Sequence, residues 1–549
     1  MRRAVKLGMF YTCLVVSAVL LGGAEPVKID LSTLKNGEAA PKVENNELIF
    51  SPASGFSQAA ETLQHFDLSR GARITLEFQV DGPQQNDYAR LLEAKGLSFH
   101  FNNREGSMVK IYARQGGSKF VQAPAPCGLK PGEWRRAELI YDAENQQIGV
   151  SIDGGKLFTA SLPGLLPDAS DTALILGAPT LTVGNRGFAG RLRNLEVTTP
   201  YSGDPRCWRE DLSKPTVING EEVKYSTVTS TPGRHCAFPG IAKLADGRLA
   251  VVFREGEAHV CPYGRIAISY SYDGVNWSVP QVVVDTMTDD RDPSIRQLED
   301  GRLLLTNFRH GIWANHPTYQ GKYPAAAYAV RSGDNLDSGY TYRFSDDAGK
   351  SWSEPVEVPA FTPHGPAIKA GSFYHPIAQT GADGIRRINV YRGSADARNW
   401  EKIGSAYDSP ASAKINEPHL VALRDGTLLG AIRDDSDHLL VITRSVDDGK
   451  SWEAVKTEFF GLPPHLLELS DGRVLLTYGY RSAPYGVRAR VSEDGGRNWG
   501  EEMILRRNGI DTDLGYPMSV EIEPGRVATV YYHHTNSGKP FIEVAIWRP

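Results

Sequence analysis

Between residues 222 and 549, apolar residues recur with the two-residue period of β-strands, inside a unit that occurs six times. Each copy opens on a proline, continues as an alternating run and reaches a glycine eight residues later, usually after an acidic residue. The prolines are Pro239, Pro293, Pro376, Pro418, Pro464 and Pro517, and their glycines are Gly247, Gly301, Gly384, Gly426, Gly472 and Gly525. In the fourth copy, Leu420 and Ala422 alternate with Val421 and Leu423 before Asp425-Gly426, a favoured tight turn. A second apolar run follows each turn, as in Leu249 to Phe253, Leu303 to Phe308 and Val474 to Tyr478. Each copy therefore predicts a hairpin. Copies spaced 42 to 83 residues apart suit the four-stranded blades of a propeller, and six copies imply six blades.

A second motif, Ser-x-Asp-x-Gly-x-x-Trp, falls late in the blades. It stands at Ser345 to Trp352, Ser445 to Trp452 and Ser492 to Trp499, with shortened copies at Ser271 to Trp277 and Ser394 to Trp400. Its chemistry is that of a turn between third and fourth strands. Asp and Ser bond backbone groups, Gly takes a left-handed conformation and Trp packs into the blade. It marks a fold and sits on the rim, away from any catalytic centre.

Residues 25–200 hold no copy of either motif. Arg73 to Phe78, Ser98 to Phe101, Val109 to Ala113 and Arg136 to Tyr141 have strand patterns, and Gln147 to Ile152 follows as a hairpin partner. Leu174 to Gly177 and Phe188 to Leu192 complete the set. Many short strands with turn signals predict a two-sheet sandwich. This order resembles the concanavalin-like, lectin-like jelly rolls joined to glycosidases, which leaves sugar binding and a spacer role both open. Residues 201–221 read as a linker broken by Asp204-Pro205 and Lys214-Pro215. Val223 to Val228 and Phe541 to Trp547 are expected to close one blade from both ends of the region. The expected fold class is all-β: a jelly-roll β-sandwich followed by a six-bladed β-propeller.

Residues 1–24 read as an export signal: Arg2, Arg3 and Lys6, then an apolar stretch from Leu7 to Leu21, then Gly22 and Ala24 before a cut. The expected location is secreted, periplasmic or cell-surface, with no membrane span after the signal is removed. Formal charge is -5, or -8 once those three basic residues leave, which argues against a nucleic-acid partner. Four cysteines then remain, Cys127, Cys207, Cys236 and Cys261, too few for a disulfide framework. Cys236 and Cys261 are expected either to pair or to remain buried thiols. No metal cluster or nucleotide loop is legible, so no cofactor is expected.

The chemistry must come from what the inner strands present at the axis. Immediately before the six prolines stand Phe238, Asp292, His375, Glu417, Pro463 and Tyr516, a ring too polar for a structural channel alone. Just past the second strands stand Arg254, Arg309, Arg392, Arg433 and Arg481, with His533 in the last blade. Guanidinium forks match carboxylates, so this row suits an anionic ligand.

The Ser-x-Asp-x-Gly-x-x-Trp turns resemble the Asp boxes of sialidases (neuraminidases), a resemblance that covers roughly residues 222–549. Such boxes also occur in propellers with other functions. Gly515-Tyr516-Pro517-Met518-Ser519-Val520 looks like the segment that carries the sialidase nucleophile. Asn416-Glu417-Pro418, Asp425-Gly426 and Ile432-Arg433 resemble the segment of its activating glutamate and a ligand-binding arginine. The resemblance implies an exo-α-sialidase with Tyr516 as nucleophile, Glu417 as its base and Arg433 on the substrate carboxylate. It departs at Ala237, where the first arginine of the sialidase triad would stand, and at Tyr531-Tyr532-His533, in place of the glutamate that steadies it. Arg291 or Arg254 could supply the missing charge, and Arg481 is nearest to the displaced third arginine. The acid/base is His259, on the loop Arg254 to Cys261, or Asp292 at the next blade's entrance. His375 joins the substrate-binding ring.

An insertion from His310 to Tyr340 brings Trp313, His316, Tyr319 and Tyr323 to the same face. The expected partner is a sialylated glycoprotein, glycolipid or oligosaccharide. A relative acting on another acidic or deoxy sugar and a non-catalytic glycan-binding propeller are the alternatives.

Overall fold

Prolines that cannot donate to a β-ladder shape the part of this fold that matters most. The computed structural model describes residues 25–549 except 37–40, 52–57, 85–88, 102–107, 115–119, 163–164, 167–168, 178–187, 202–203, 205–213, 230–232, 287, 312–338, 361, 410–413, 483 and 536–537. The leader at 1–24 and the aromatic insertion with Trp313, His316, Tyr319 and Tyr323 lie outside the described residues.

Among the described residues, six four-stranded antiparallel sheets follow one another from Lys224 onward. Five of them run in chain order. The sixth joins Lys224–Thr229 to Phe541–Trp547, Arg526–His533 and Gly515–Glu523, and so combines strands distant in sequence. Their first strands pack against one another: His235–Lys243 touches both Asp289–Gln297 and Gly515–Glu523, and Ile415–Ala422 touches Pro464–Glu468.

An apolar cluster fills each seam between neighbouring sheets. Val252, Ile268 and Ile295 join the first and second, and Val251, Phe253, Met518 and Val544 join the first and sixth. The tryptophan of each Ser-Asp-Gly-Trp turn packs into the seam with the preceding sheet, for example Trp452 beside Ile388 and Val390. The turn itself is tied by its aspartate. Asp447 accepts from the backbone N–H of Ser451 at 2.9 Å and from the Ser445 hydroxyl at 2.8 Å.

The third sheet departs from the sequence register. Its first strand is the short Ala367–Lys369, which turns through Ala370 and Gly371, both at positive φ, into Ser372–Thr380. Pro376 and Gly384 therefore belong to the second strand and the turn after it, one strand further out than the other five copies. Pro366, preceded by Gly365 at φ 74°, holds the place expected of Pro376.

Residues 27–198 form two antiparallel sheets of eight and seven strands. One apolar core serves both, with Phe78 in edge contact with Phe99 and Phe101 at 6.1 and 6.0 Å between ring centres. This unit meets the later sheets through Phe158 on Phe460, 5.2 Å apart, and through Lys156 Nζ, 3.6 Å from Glu502. Cys236 and Cys261 are both buried thiols. No helix among the described residues is long and apolar enough to cross a membrane.

Candidate active site

In four of the six sheets the residue before the proline leaves the ladder. Pairing skips Phe238-Pro239, Asp292-Pro293, Glu417-Pro418 and Tyr516-Pro517, each a bulge in the first strand. The residue ahead of each proline sits in the left-handed region, at φ 54°, 47°, 39° and 50° in that order. Such a conformation costs a non-glycine residue about 1 kcal/mol, and it persists because the flanking ladders hold it. Phe238, Asp292, Glu417 and Tyr516 are thereby presented from one repeat position.

The pair that meets most closely is Tyr516 and Glu417. The Tyr516 hydroxyl donates to Glu417 Oε1 at 2.7 Å. Arg433 reaches both, donating from Nη1 to Glu417 Oε2 and to the Tyr516 oxygen at 3.3 Å, while its Nε donates to Asp435 at 2.7 Å. Burial alone would lift the Glu417 pKa, but the Arg433 charge beside it, with the tyrosine's hydrogen bond, holds it below the ordinary carboxylate value. Burial and the Glu417 charge push the Tyr516 phenol far above its ordinary value. At rest the pair is a neutral phenol on an ionised carboxylate.

Arg481 lies over the Tyr516 ring, 5.5 Å from its centre, and donates to Leu514 O at 3.1 and 3.0 Å. The Phe238 ring packs edge-on against Tyr516 at 4.9 Å and carries the Arg291 guanidinium 4.6 Å from its centre. His364, fully buried, places its imidazole 6.4 Å from the Tyr516 ring, and burial lowers its pKa to about 3.

Asp292 is 7% exposed, with its Oδ2 3.8 Å from Arg291 Nε and its Oδ1 without a hydrogen-bond partner. Burial raises its pKa to about 6 against the opposing pull of Arg291, and Glu417 adds to the rise. A carboxyl raised in the folded state contributes stability that is fully present below its unfolded pKa of 3.8 and lost as pH passes about 6. Asp292→Asn should accordingly stabilise the protein at pH 8 by about 2–3 kcal/mol, an advantage that disappears below about pH 4 in urea unfolding.

Two expected site residues stand elsewhere. Arg254 is fully buried and committed to the protein's own groups: Asp289 Oδ1 at 2.8 Å, Ala258 O at 2.9 Å and Cys261 Sγ at 3.2 Å. It braces the loop that carries His259 and is closed to a ligand. Gly264 is needed there, since a Cβ would come within 1.7 Å of Asp289 Oδ1. His375, one strand out because of the third sheet's extra hairpin, is fully buried between the Tyr342 hydroxyl at 2.6 Å and the Thr362 N–H at 2.9 Å. Arg309 and Arg392 pair with the exposed Glu357 and Glu401, so the row of five arginines does not converge.

The His259 ring packs edge-on against Phe238, at 5.1 Å between centres. Sequence reasoning missed Asp513, whose carboxylate accepts from His259 at 2.9 Å and from His235 at 2.8 Å. It stands in Asp511 to Leu514, a loop without a motif. His235, His259 and Asp513 also have donor atoms within 4.8 Å of one another, a spacing that could hold a metal ion.

Against this geometry, known proteins give a limited likeness. The match is to a BNR repeat-like domain. It spans residues 320–529. No curated protein matches the sequence. Among solved structures, a protein of unknown function from Dyadobacter fermentans is 25% identical, with a TM-score of 0.51, covering 60% of this chain and 99% of that one. The NanB sialidase of Streptococcus pneumoniae is 14% identical at a TM-score of 0.43, covering 88% of this chain and 97% of its own. The Hadza microbial sialidase Hz136 is 13% identical at 0.46, covering 94% and 99%. The Dyadobacter protein supports the fold over the 60% of this chain that it covers.

Proposed function

We propose that residues 222–549 form a six-bladed, sialidase-like propeller and that the chain is an exo-acting glycoside hydrolase. Its substrate is a glycan ending in an acidic sugar, sialic acid first among them. In this reading the Ser-Asp-Gly-Trp turns are Asp boxes, residues 1–24 direct export and the N-terminal sheets form a lectin-like jelly roll.

The observation that carries the proposal is the 2.7 Å hydrogen bond from the Tyr516 hydroxyl to Glu417, with Arg433 bonded to both. A sugar bearing a carboxylate on its anomeric carbon would repel an anionic nucleophile. A phenol approaches neutral and passes its proton to Glu417 as its oxygen bonds to the anomeric carbon. Protonation of Glu417 then frees Arg433 for the sugar carboxylate, and with Arg481 it forms the cationic wall that this carboxylate requires.

A second reading has its own support. Neither Ala237 nor the buried Arg254 offers a ligand a guanidinium on the first-blade side, and Arg291 is shared among Asp289, Asp292 and the His259 carbonyl. That rebuilt side favours a different acidic or deoxy sugar. Purified protein offered sialyl-lactose and a series of uronic-acid and deoxysugar glycosides should release sugar from one class alone. Release of sialic acid supports the first reading, release of another sugar the second, and silence on the whole series refutes both.

A further inference from the structure

Hydrolysis at the Tyr516–Glu417 pair needs a proton donor on the leaving-group side, and the inference below rests on that glycosidase reading. Three side chains from separate strands and loops converge on the Asp513 carboxylate. His259 Nδ1 lies 2.9 Å from Oδ1, the Tyr532 hydroxyl donates to the same oxygen at 3.1 Å, and His235 Nε2 lies 2.8 Å from Oδ2. Burial opposes ionisation of Asp513, but the hydrogen bonds from both histidines outweigh it and hold the carboxyl far below its usual range.

The two histidines differ in access. His235 is 3% exposed, whereas the His259 side chain keeps 47% of its surface open at the edge of Phe238. With Nδ1 turned to Asp513, the other ring nitrogen, Nε2, points away from the carboxylate. The phenol ring and this imidazole both contact one aromatic ring, Phe238, at 4.9 and 5.1 Å between centres.

We infer that His259 is the general acid/base of this site and that Asp513 is the positioning residue that fixes its tautomer and direction. Asp292 is the weaker choice on access: its side chain is enclosed beside Arg291, while a departing sugar or aglycone must leave through the open side.

The reaction balances with water as its only co-reactant. The glycosidic C–O bond breaks with its electron pair passing to oxygen, which takes the proton from His259 Nε2. The Tyr516 oxygen bonds to the anomeric carbon and its proton goes to Glu417. Water then attacks the anomeric carbon and gives a proton to neutral His259, while the bond to the Tyr516 oxygen breaks and the phenolate takes its proton back from Glu417.

The groups facing His259 are Asp513, His235, Tyr532 and Arg291, whose Nη1 donates to the His259 carbonyl at 2.6 Å. Burial and the Arg291 charge lower the His259 pKa and Asp513 raises it, with a net fall below the ordinary value. Turnover should decline as pH rises through that value, and Asp513→Asn should move the midpoint lower still.

The test compares full-length wild type, His259→Ala, Asp513→Asn and Tyr516→Phe on sialyl-lactose and on an umbelliferyl sialoside, whose phenol leaves without protonation. His259→Ala should lose kcat by about 10²–10⁴-fold on sialyl-lactose and by less than about tenfold on the aryl substrate. Asp513→Asn should lose at least about tenfold in kcat on sialyl-lactose, with KM held and the pH midpoint shifted. Ring nitrogen NMR, which needs no turnover, should show the Nδ1–H tautomer of His259 in wild type and its loss in Asp513→Asn.

Equal losses on both substrates, an unmoved pH profile or an Nε2–H tautomer would overturn the assignment. Turnover abolished by EDTA and restored by zinc would also do so, reassigning the cluster to a cation. Loss in Tyr516→Phe with full activity in His259→Ala removes this inference alone. A wild type silent on both substrates removes the glycosidase reading and the inference with it.

Discussion

Tyr516→Phe should abolish turnover of any glycoside that the wild type cleaves, by on the order of 10³-fold or more in kcat, with glycan affinity held within a few-fold. The substitution deletes one oxygen. The ring it leaves still packs on Phe238 at its edge and under the Arg481 guanidinium, so the site keeps its shape. Glu417 keeps Arg433 as its partner, so no charge is stranded. Steady-state kinetics with calorimetric binding separates the readings. If both proteins bind a glycan equally and neither turns it over, the protein is a lectin and the enzyme proposal falls.

Glu417→Gln carries the second large effect, on activity and stability together. Without the carboxylate, the phenol has no base and kcat should fall by about 10²–10³-fold. Arg433, 13% exposed at its side chain, would face a neutral amide and retain only Asp435 as an anionic partner. Weakening a buried ion pair from one side costs about 2–3 kcal/mol here, since Asp435 still compensates part of the charge. The sign with pH follows from the lowered Glu417 pKa. Its contribution to stability is present above the unfolded value of 4.5 and lost as pH falls through the lower folded value. Denaturant unfolding should show the gap between variant and wild type at pH 7, narrowing at strongly acidic pH. A constant gap would mean that Glu417 is not ionised in the native protein.

The repeat in the sequence was informative because one chemical fact recurs in it: proline lacks an N–H, and the first strands of four sheets bulge at the same height and display the residue before the proline. That rule led to Tyr516, Glu417, Asp292 and Phe238 from spacing alone. It failed at Pro376 because Lys369-Ala370-Gly371-Ser372 makes its turn without the Asp-Gly signal, and a three-residue strand leaves almost no alternating pattern. The arginine row failed for a different reason. Position after a strand says nothing about which carboxylate a long side chain will find, and Arg254, Arg309 and Arg392 each found one within the protein or a neighbouring carbonyl. Asp513 was illegible because its partners, His235 and His259, lie more than 250 residues away in sequence.

One consequence of the sixth sheet concerns how the protein is made. Tyr516 lies on a sheet whose outer strand, Lys224–Thr229, emerges from the ribosome some 300 residues before the Phe541–Trp547 strand it must pair with. Until translation passes Trp547, the seam between first and sixth sheets stays open and the strand that carries Tyr516 has no completed support. Five sheets can assemble while the chain is still growing, but the strand that presents Tyr516 to Glu417 gains its full support only once Phe541–Trp547 has joined its sheet.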